Sequence, residues 1–207
     1  MNQSLGTYTP LNFIVKALWG GTILLALFFI VEYALQYFGF DPEVFGRYWP
    51  YRFILVGHVG GGILGLIIGP FQFSSTFRKK YLSTHRFIGK IYIIAILVAS
   101  ICSIALAFTV GMDVHWTWAM SLVGLAIPWI ICILMAYRSI RMRRITPHRE
   151  WMIRSYIVTF AFVTFRILDD YIMADLGNFV ERAPSLIWIS WSIPLIVAEV
   201  FIQWNKK

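Results

Sequence analysis

Two short stretches of the chain share a pattern that could bind a metal. "STHRFIGKIY" begins at Ser83 and "TPHREWMIRSY" begins at Thr146, and each places a His-Arg pair just before an apolar run. The chain has only four histidines, and His85 and His148 are two of them. Two imidazoles that face each other from different helices at matching depth are the ligands of a bis-histidine haem. We therefore predict that His85 and His148 hold the iron of a haem b.

The residues around this pair suit the same prediction. Gly89 follows His85 by one helical turn and would let a macrocycle approach. Arg86 and Arg149, with Lys90 and Arg154, would be available for the haem propionates. Ser83 and Thr146 are predicted N-caps with Pro147 at the first helical position, which makes each histidine the second residue of its helix. Two alternatives stay open: histidines that simply suit a basic interface, and a divalent metal site in which Glu150 is the nearest carboxylate.

A second cluster of charged residues lies in "FRILDDYIM", which begins at Phe165. Asp169 and Asp170 follow Arg166 at i+3 and i+4 and are predicted to pair with it on one helix face, because an unpaired arginine inside a membrane is strongly disfavoured. His58 is predicted at a comparable depth on another helix. We expect His58, Arg166, Asp169 and Asp170, with Arg52 as a further candidate, to form an outer polar pocket. It would bind a quinol headgroup, relay protons, or only hold two helices together.

The elements that must position these residues are membrane helices. The chain has 207 residues, of which 59% are hydrophobic and 14% charged, with a mean hydropathy of +0.71. Soluble domains carry about a quarter charged residues, and one spanning helix needs about 20 apolar residues. We predict an all-α integral membrane protein with one transmembrane domain over residues 1–207, a four-helix core of spans two to five at about 50–175, and the lipid bilayer as its partner. The six predicted spans are 11–38, 51–73, 87–110, 116–137, 151–174 and 185–204.

The net charge of +8 follows from the distribution of basic residues. Most of them fall on one side of the predicted membrane, together with both termini, and basic residues mark the cytoplasmic side. We predict that both termini are cytoplasmic, that the protein lies in the cell inner (plasma) membrane, and that nucleic acid is not a partner. The basic residues on this side include Arg78, Lys79, Lys80, Arg86, Lys90, Arg138, Arg141, Arg143, Arg144, Arg149, Arg154, Lys206 and Lys207.

Three further features are predicted from position. The glycines of "GHVGGGILGLIIGPFQF", from Gly57 onward, allow either a neighbouring helix or a flat cofactor to come close. Glu32 and Glu199 lie near the ends of their spans and are expected to reach the interface. Cys102 and Cys132 fall within spans and are expected to be buried thiols.

Three of these stretches, "GHVGGGILGLIIGPFQF", "HRFIGKIY" and "HREWMIRSYIVTFAFVTFR", resemble a bacterial family of predicted membrane proteins, domain of unknown function 2306. That resemblance implies no activity. The placing of His58, His85, His115 and His148 on four successive helices is also similar to the transmembrane ascorbate-dependent cytochromes b of the five-sixty-one type. This second resemblance implies two b haems, held by His85 with His148 and by His58 with His115. His115 is predicted at the membrane surface and is therefore shallower than His58.

We predict a membrane redox protein, either a b-type haem electron carrier or a quinone-linked oxidoreductase with a quinone or redox partner. The alternatives are a small-solute or proton-coupled transporter or sensor, and a non-catalytic accessory protein of the membrane. The sequence has no nucleotide-binding loop, nucleophile triad or zinc-ligand spacing, so no hydrolytic activity is predicted.

Overall fold

The computed structural model describes residues 10–204 and Lys206 and is built from six long apolar helices. We label these helices α1 (Phe13–Gly39), α2 (Pro42–Phe73), α3 (Leu82–Val114), α4 (Trp116–Arg141), α5 (Ile145–Ile172) and α6 (Phe179–Trp204). Each has at least 26 residues, which at about 1.5 Å per residue exceeds the roughly 30 Å hydrocarbon core. The described residues contain no strand. The prediction of an all-α protein with six membrane spans is therefore confirmed.

The four middle helices form the core. α2 packs on α3, α3 on α4, α4 on α5, and α5 closes the ring against α2. α6 packs on the outside of α4 and α5, whereas α1 contacts α2 and α5. The interior of the ring is filled by large buried side chains such as Tyr92, Ile96 and Phe165. This arrangement matches the predicted four-helix core of spans two to five.

The glycines of α2 explain how closely the core helices approach. Four of them recur at every fourth residue and lie on one face of α2, namely Gly57, Gly61, Gly65 and Gly69. A Cβ at Gly61 would lie 2.9 Å from the Cβ of Ala99 on α3, and one at Gly69 would overlap the ring of Tyr156 on α5. This face is the small-residue surface that lets membrane helices pack tightly. Of the two predicted uses, helix packing is the one that these four glycines serve.

The starts of α3 and α5 differ from the prediction. The amide of His85 donates to the carbonyl of Tyr81 at 2.9 Å, and the amide of His148 donates to that of Arg144 at 3.1 Å. These bonds begin each helix before Ser83 and Thr146, so the prediction of those two residues as N-caps is wrong. His85 and His148 are instead each the fourth residue of their helix, starting from Leu82 and Ile145.

Short connections join the helices. Only His115 separates α3 from α4, and residues 142–144 separate α4 from α5. A short helix, Ser75–Lys80, lies between α2 and α3 and is capped by the Ser74 hydroxyl. We call the end of the bundle with the α2–α3 and α4–α5 connections the basic end, and the opposite end the acidic end. The basic end is the one predicted to face the cytoplasm.

Ion pairs attach α6 to α5 at both ends. At the basic end, the Arg154 guanidinium donates to the Glu199 carboxylate from Nε at 2.8 Å and from Nη2 at 2.5 Å. Glu150 adds a contact of 3.9 Å to Arg154 and one of 3.2 Å to Lys206. At the acidic end, the Arg182 Nε donates to Asp169 at 2.6 Å. Glu199 therefore pairs across two helices, whereas the sequence predicted only that it reaches the interface.

Candidate functional site

A cavity of about 330 Å³ lies inside the core, between the middle of the bundle and its acidic end. All six helices contribute to its wall. Aromatic rings dominate the lining, including Phe29 of α1, Trp118 and Trp129 of α4, and Phe162 of α5. Ligand sites are typically about 300–1,000 Å³, mostly apolar, and carry a few polar groups. The cavity has the size and surface of a site for a small, flat, apolar molecule.

His58 is the imidazole on the wall of this cavity. Its Nδ1 lies 2.9 Å from the carbonyl oxygen of Ala99 on α3. A carbonyl only accepts, so Nδ1 carries the proton and the neutral ring leaves the Nε2 lone pair for a ligand. Trp129 and Phe162 meet the ring edge-on, with centroids 6.5 and 6.1 Å away. The ring is therefore fixed in both tautomer and orientation.

Ser103 lies beside His58 on the same wall. It follows Ala99 by one turn of α3, and its side chain is buried and lines the cavity. No hydrogen bond of its hydroxyl to another described residue is found. Ser103 therefore offers the cavity a hydroxyl that can donate or accept.

The floor of the cavity is a closed hydrogen-bond network. The Thr159 hydroxyl donates to the Ser155 carbonyl at 2.8 Å and accepts from Trp129 Nε1 at 2.9 Å. It also lies 3.2 Å from the Tyr92 hydroxyl, which in turn lies 3.2 Å from that of Ser155. Because the single Thr159 proton is already used, this network forms a fixed floor and leaves recognition to His58 and Ser103.

Two arginines line the acidic end of the cavity. Arg47 and Arg166 both belong to its lining, and no carboxylate does so among the described residues. The Arg166 guanidinium lies over the ring of Tyr33 at 5.2 Å and is 4.0 Å from the Asp170 carboxylate. The Tyr33 hydroxyl donates to Asp170 at 2.7 Å. The mouth is therefore positively charged on the side that faces a ligand.

The structure brings two residues of the predicted outer pocket together and separates the others. His58 and Arg166 lie on one cavity, as their depths indicated, and Asp170 contacts Arg166 from outside it. The predicted pairing of Asp169 with Arg166 is wrong, because Asp169 is buried against Arg182 of α6. Arg52 also lies elsewhere: it donates to the Trp49 carbonyl at 3.1 Å and stacks over the Trp49 ring.

His85 and His148 lie at the basic end, in the first turns of α3 and α5. His148 Nδ1 donates to the Ala136 carbonyl on α4 at 2.9 Å, which leaves its Nε2 lone pair for a ligand. His85 Nδ1 is enclosed and has no hydrogen-bond partner among the described residues. The His148 arrangement is typical of an imidazole that ligates a metal, whereas the His85 ring has no such acceptor to orient it.

The surroundings of this pair suit a haem only in part. The Gln72 side chain fills the space beside Gly89, where a Cβ would lie 3.1 Å from its Oε1, so Gly89 does not offer the predicted room for a macrocycle. Arg86 and Arg149 are exposed at the basic end, as propionate partners would be, whereas Arg154 is committed to Glu199. The donor set therefore fits haem iron, and a porphyrin would have to displace Gln72 to lie against Gly89.

The alternative of a divalent metal finds less support. Glu150 pairs with Arg154 and Lys206. Within residues 10–204, no group of three or more His, Cys, Asp and Glu side chains is placed to hold a metal ion. Cys102 and Cys132 are free thiols; Cys132 is buried, as predicted, whereas Cys102 is only partly buried.

His115 is placed away from the cavity. It is exposed in the connection between α3 and α4, and its Nδ1 accepts from the Thr117 amide at 3.3 Å as the N-cap of α4. His58 instead faces Ala99, Trp129 and Phe162. The pairing of His58 with His115, which the cytochrome resemblance implies, therefore has no counterpart in the contacts of either ring.

Several residues of the site were not predicted. Ser103 and Thr159 look like ordinary small residues of apolar helices, and Arg47 lies between the first two predicted spans. The sequence feature that could have indicated the cavity arginines is the rarity of basic residues at the acidic end. The four found there, among acidic neighbours, are Arg47, Arg52, Arg166 and Arg182. Which of these four faces a cavity depends on tertiary packing and not on local sequence.

Comparison with known protein families matches residues 55–202 to the family described as "Predicted membrane protein (DUF2306)". No curated protein matches the chain, and no solved structure matches it. The matched region runs from the second helix to the end of the sixth and includes His58, Ser103 and Arg166. Because the match covers well over half of the 207 residues, the chain belongs to the DUF2306 family of predicted membrane proteins.

Proposed function

We propose that this protein is a quinone-linked membrane redox protein that binds a quinone or quinol ring in the cavity around His58. The observation that carries the proposal is the His58 ring: its Nδ1–H is held by Ala99, and its Nε2 is left for a ligand inside an aromatic cavity. A quinol is a flat apolar ring with a hydroxyl at each end, which suits these walls and these polar groups.

The polar groups of the cavity wall can form hydrogen bonds with both the quinol and the quinone form of the ligand. The Nε2 lone pair of neutral His58 accepts a hydrogen bond from a quinol hydroxyl. Once protonated, the same nitrogen donates to a quinone carbonyl. Ser103 can donate or accept beside it, so the site suits the ring in either oxidation state.

Oxidation of a quinol releases two electrons and two protons. His58 is placed to take one proton at Nε2, and the second leaves from the other hydroxyl to water at the arginine-lined mouth. The two electrons need an acceptor of the one-electron carrier class. A haem held by His85 and His148 would supply one-electron transfer.

Substitution of His58 tests the binding step. The full chain in nanodiscs is titrated with a short-chain quinone, and binding is followed by quenching of tryptophan fluorescence, since Trp118 and Trp129 line the cavity. His58→Leu keeps a side chain of similar size but removes the hydrogen bond. We expect the quinone Kd to rise roughly tenfold, which corresponds to about 1.4 kcal/mol.

His115→Asn is the matched control, because asparagine retains the N-cap and the side chain lies away from the cavity. It should leave the Kd unchanged. Equal Kd values for the wild type, His58→Leu and His115→Asn would falsify the proposed quinone site.

A further inference from the structure

A second cavity lies on the membrane-facing side of the protein, outside the four-helix core. It has a volume of about 450 Å³ and is bounded by α1, α5 and α6, with Phe73 of α2 at one end. We call it the α1–α6 groove. It shares no lining residue with the cavity around His58.

The hydroxyl groups on the wall of the groove are already hydrogen-bonded within the protein. Apart from the Tyr156 hydroxyl, which donates to the Leu66 carbonyl at 3.3 Å, its hydroxyl groups belong to Thr22, Thr164 and Ser190. Each of these three donates to a carbonyl of its own helix, at 2.9, 3.4 and 2.7 Å respectively. The remaining lining is aliphatic, aromatic or proline and includes the indole of Trp19. A hydrocarbon chain fills such a wall without breaking any of these hydroxyl hydrogen bonds.

The length of the groove matches one leaflet of a bilayer. Along α5 the lining runs from Ile153 to Thr164, which at about 1.5 Å per residue is about 16 Å. The hydrocarbon core of a bilayer is about 30 Å thick, so the groove covers about half of it. Val15, Phe73 and Ile153 form its basic-end mouth. Its other end is formed by Thr22 and Ser190, near the middle of their helices, and by Thr164.

A basic residue lies at this mouth. Arg149 is exposed and precedes Ile153 by one turn, so it lies on the same face of α5. The nearest carboxylates of α5 and α6, Glu150 and Glu199, are already paired with Arg154 and Lys206. The charge at the mouth therefore favours an anionic headgroup.

We propose that the α1–α6 groove binds one acyl chain of an anionic phospholipid from the leaflet at the basic end, with its phosphate beside Arg149. The hydrocarbon fills the space between α1 and α6, which pack on the core from different sides. The lipid thereby joins α1 to α5 and α6. This site is independent of the proposed quinone site.

The test counts the lipids that stay bound to the full chain. The protein is released from nanodiscs of phosphatidylglycerol and phosphatidylcholine with identical chains, and retained lipids are counted by native mass spectrometry. Thr22→Trp and Val15→Trp place an indole in the groove at its two ends. Ile23→Trp is the matched control, since Ile23 neighbours Thr22 but does not line the groove.

We expect the wild type and Ile23→Trp to retain one phospholipid and both groove variants to retain at least fivefold less. Arg149→Gln should keep the lipid but reduce the preference for phosphatidylglycerol about fivefold. Equal retention in groove and control variants overturns the site. Solvent extraction that finds an isoprenoid quinone in place of a phospholipid overturns the assignment of its occupant, and an unchanged lipid preference in Arg149→Gln overturns the headgroup contact.

Discussion

His58 and His115 show how the partner of one ring nitrogen determines what a histidine can do. His58 donates from Nδ1 to a backbone carbonyl and keeps Nε2 for a ligand, inside a cavity. His115 uses Nδ1 as an acceptor to cap α4 and is exposed. Both residues are histidines, but only His58 leaves a ring nitrogen for a ligand inside a cavity.

The assignment of His85 and His148 as haem ligands predicts that haem absorbance depends on both residues. If the pair ligates iron, either His85→Ala or His148→Ala alone should abolish at least 90% of the Soret absorbance of protein expressed with haem, because loss of one axial ligand removes a bis-histidine site. Visible spectra before and after dithionite provide the measurement. His115→Asn serves as the control and should keep the full absorbance; a Soret band that survives both alanine changes would contradict the pair as ligands.

The surroundings of Arg166 show which features of a single residue can be predicted from the sequence. Counting residues along helices placed His58 and Arg166 at a common depth, and the structure puts both on one cavity. The same counting failed for Asp169, because the i+3 spacing allows a pair with Arg166 but cannot show that Arg182 of α6 comes closer. Ser103 carries no local signal, since its role depends on the cavity beside it.

The glycine face of α2 gives a prediction at the level of helices. Gly61 faces α3 with no room for a Cβ, whereas a Cβ at Gly62 would meet nothing within 4 Å and would project toward the cavity. Gly61→Ala should lower the free energy of unfolding by about 1–3 kcal/mol through overpacking. Gly62→Ala should leave it unchanged or raise it by up to about 1 kcal/mol, because alanine favours the helix.

Thermal unfolding in detergent, followed by circular dichroism at one fixed protein concentration, compares the two neighbouring variants. The interpretation of α2 as a close-packing helix fails if Gly61→Ala is as stable as Gly62→Ala. In the quinone titration, Gly62→Ala should also weaken binding, since its methyl group enters the cavity.

The ion pair between Arg154 and Glu199 gives a prediction for the attachment of α6. The Arg154 side chain is 10% exposed and that of Glu199 is 41% exposed, so solvent screens the pair in part. A double-mutant cycle with Arg154→Met and Glu199→Gln should give a coupling energy of roughly 1 kcal/mol. The same cycle with Lys206→Gln in place of Arg154→Met serves as the comparison, and a coupling near zero for Arg154 would show that this ion pair does not stabilise the attachment of α6.

Helix positions were predictable where hydrophobicity alone defines them. The six apolar runs are long enough to be recognised individually, and each corresponds to one helix. The starts of α3, α5 and α6 lie about five or six residues before the predicted ones, because their first turns carry polar residues such as His85 and Arg182. Hydropathy identifies the part of a helix that contacts lipid, but the helical hydrogen bonds continue beyond it.

The orientation of the whole molecule remains a prediction that can be measured. In a background with Cys102 and Cys132 replaced by alanine, Asp175→Cys lies at the acidic end and Lys79→Cys at the basic end. If the basic end is cytoplasmic, a membrane-impermeant thiol reagent should label Asp175→Cys in intact cells and label Lys79→Cys only after lysis. The reverse pattern would mean that the bundle is inserted the other way round.

The single-residue link at His115 has a practical consequence for how other molecules reach this protein. Together with the three residues at 142–144, it makes two of the connections between core helices very short. Antibodies and proteases find few connecting residues to bind or cleave there. An epitope tag inserted at His115 would also remove the cap of α4.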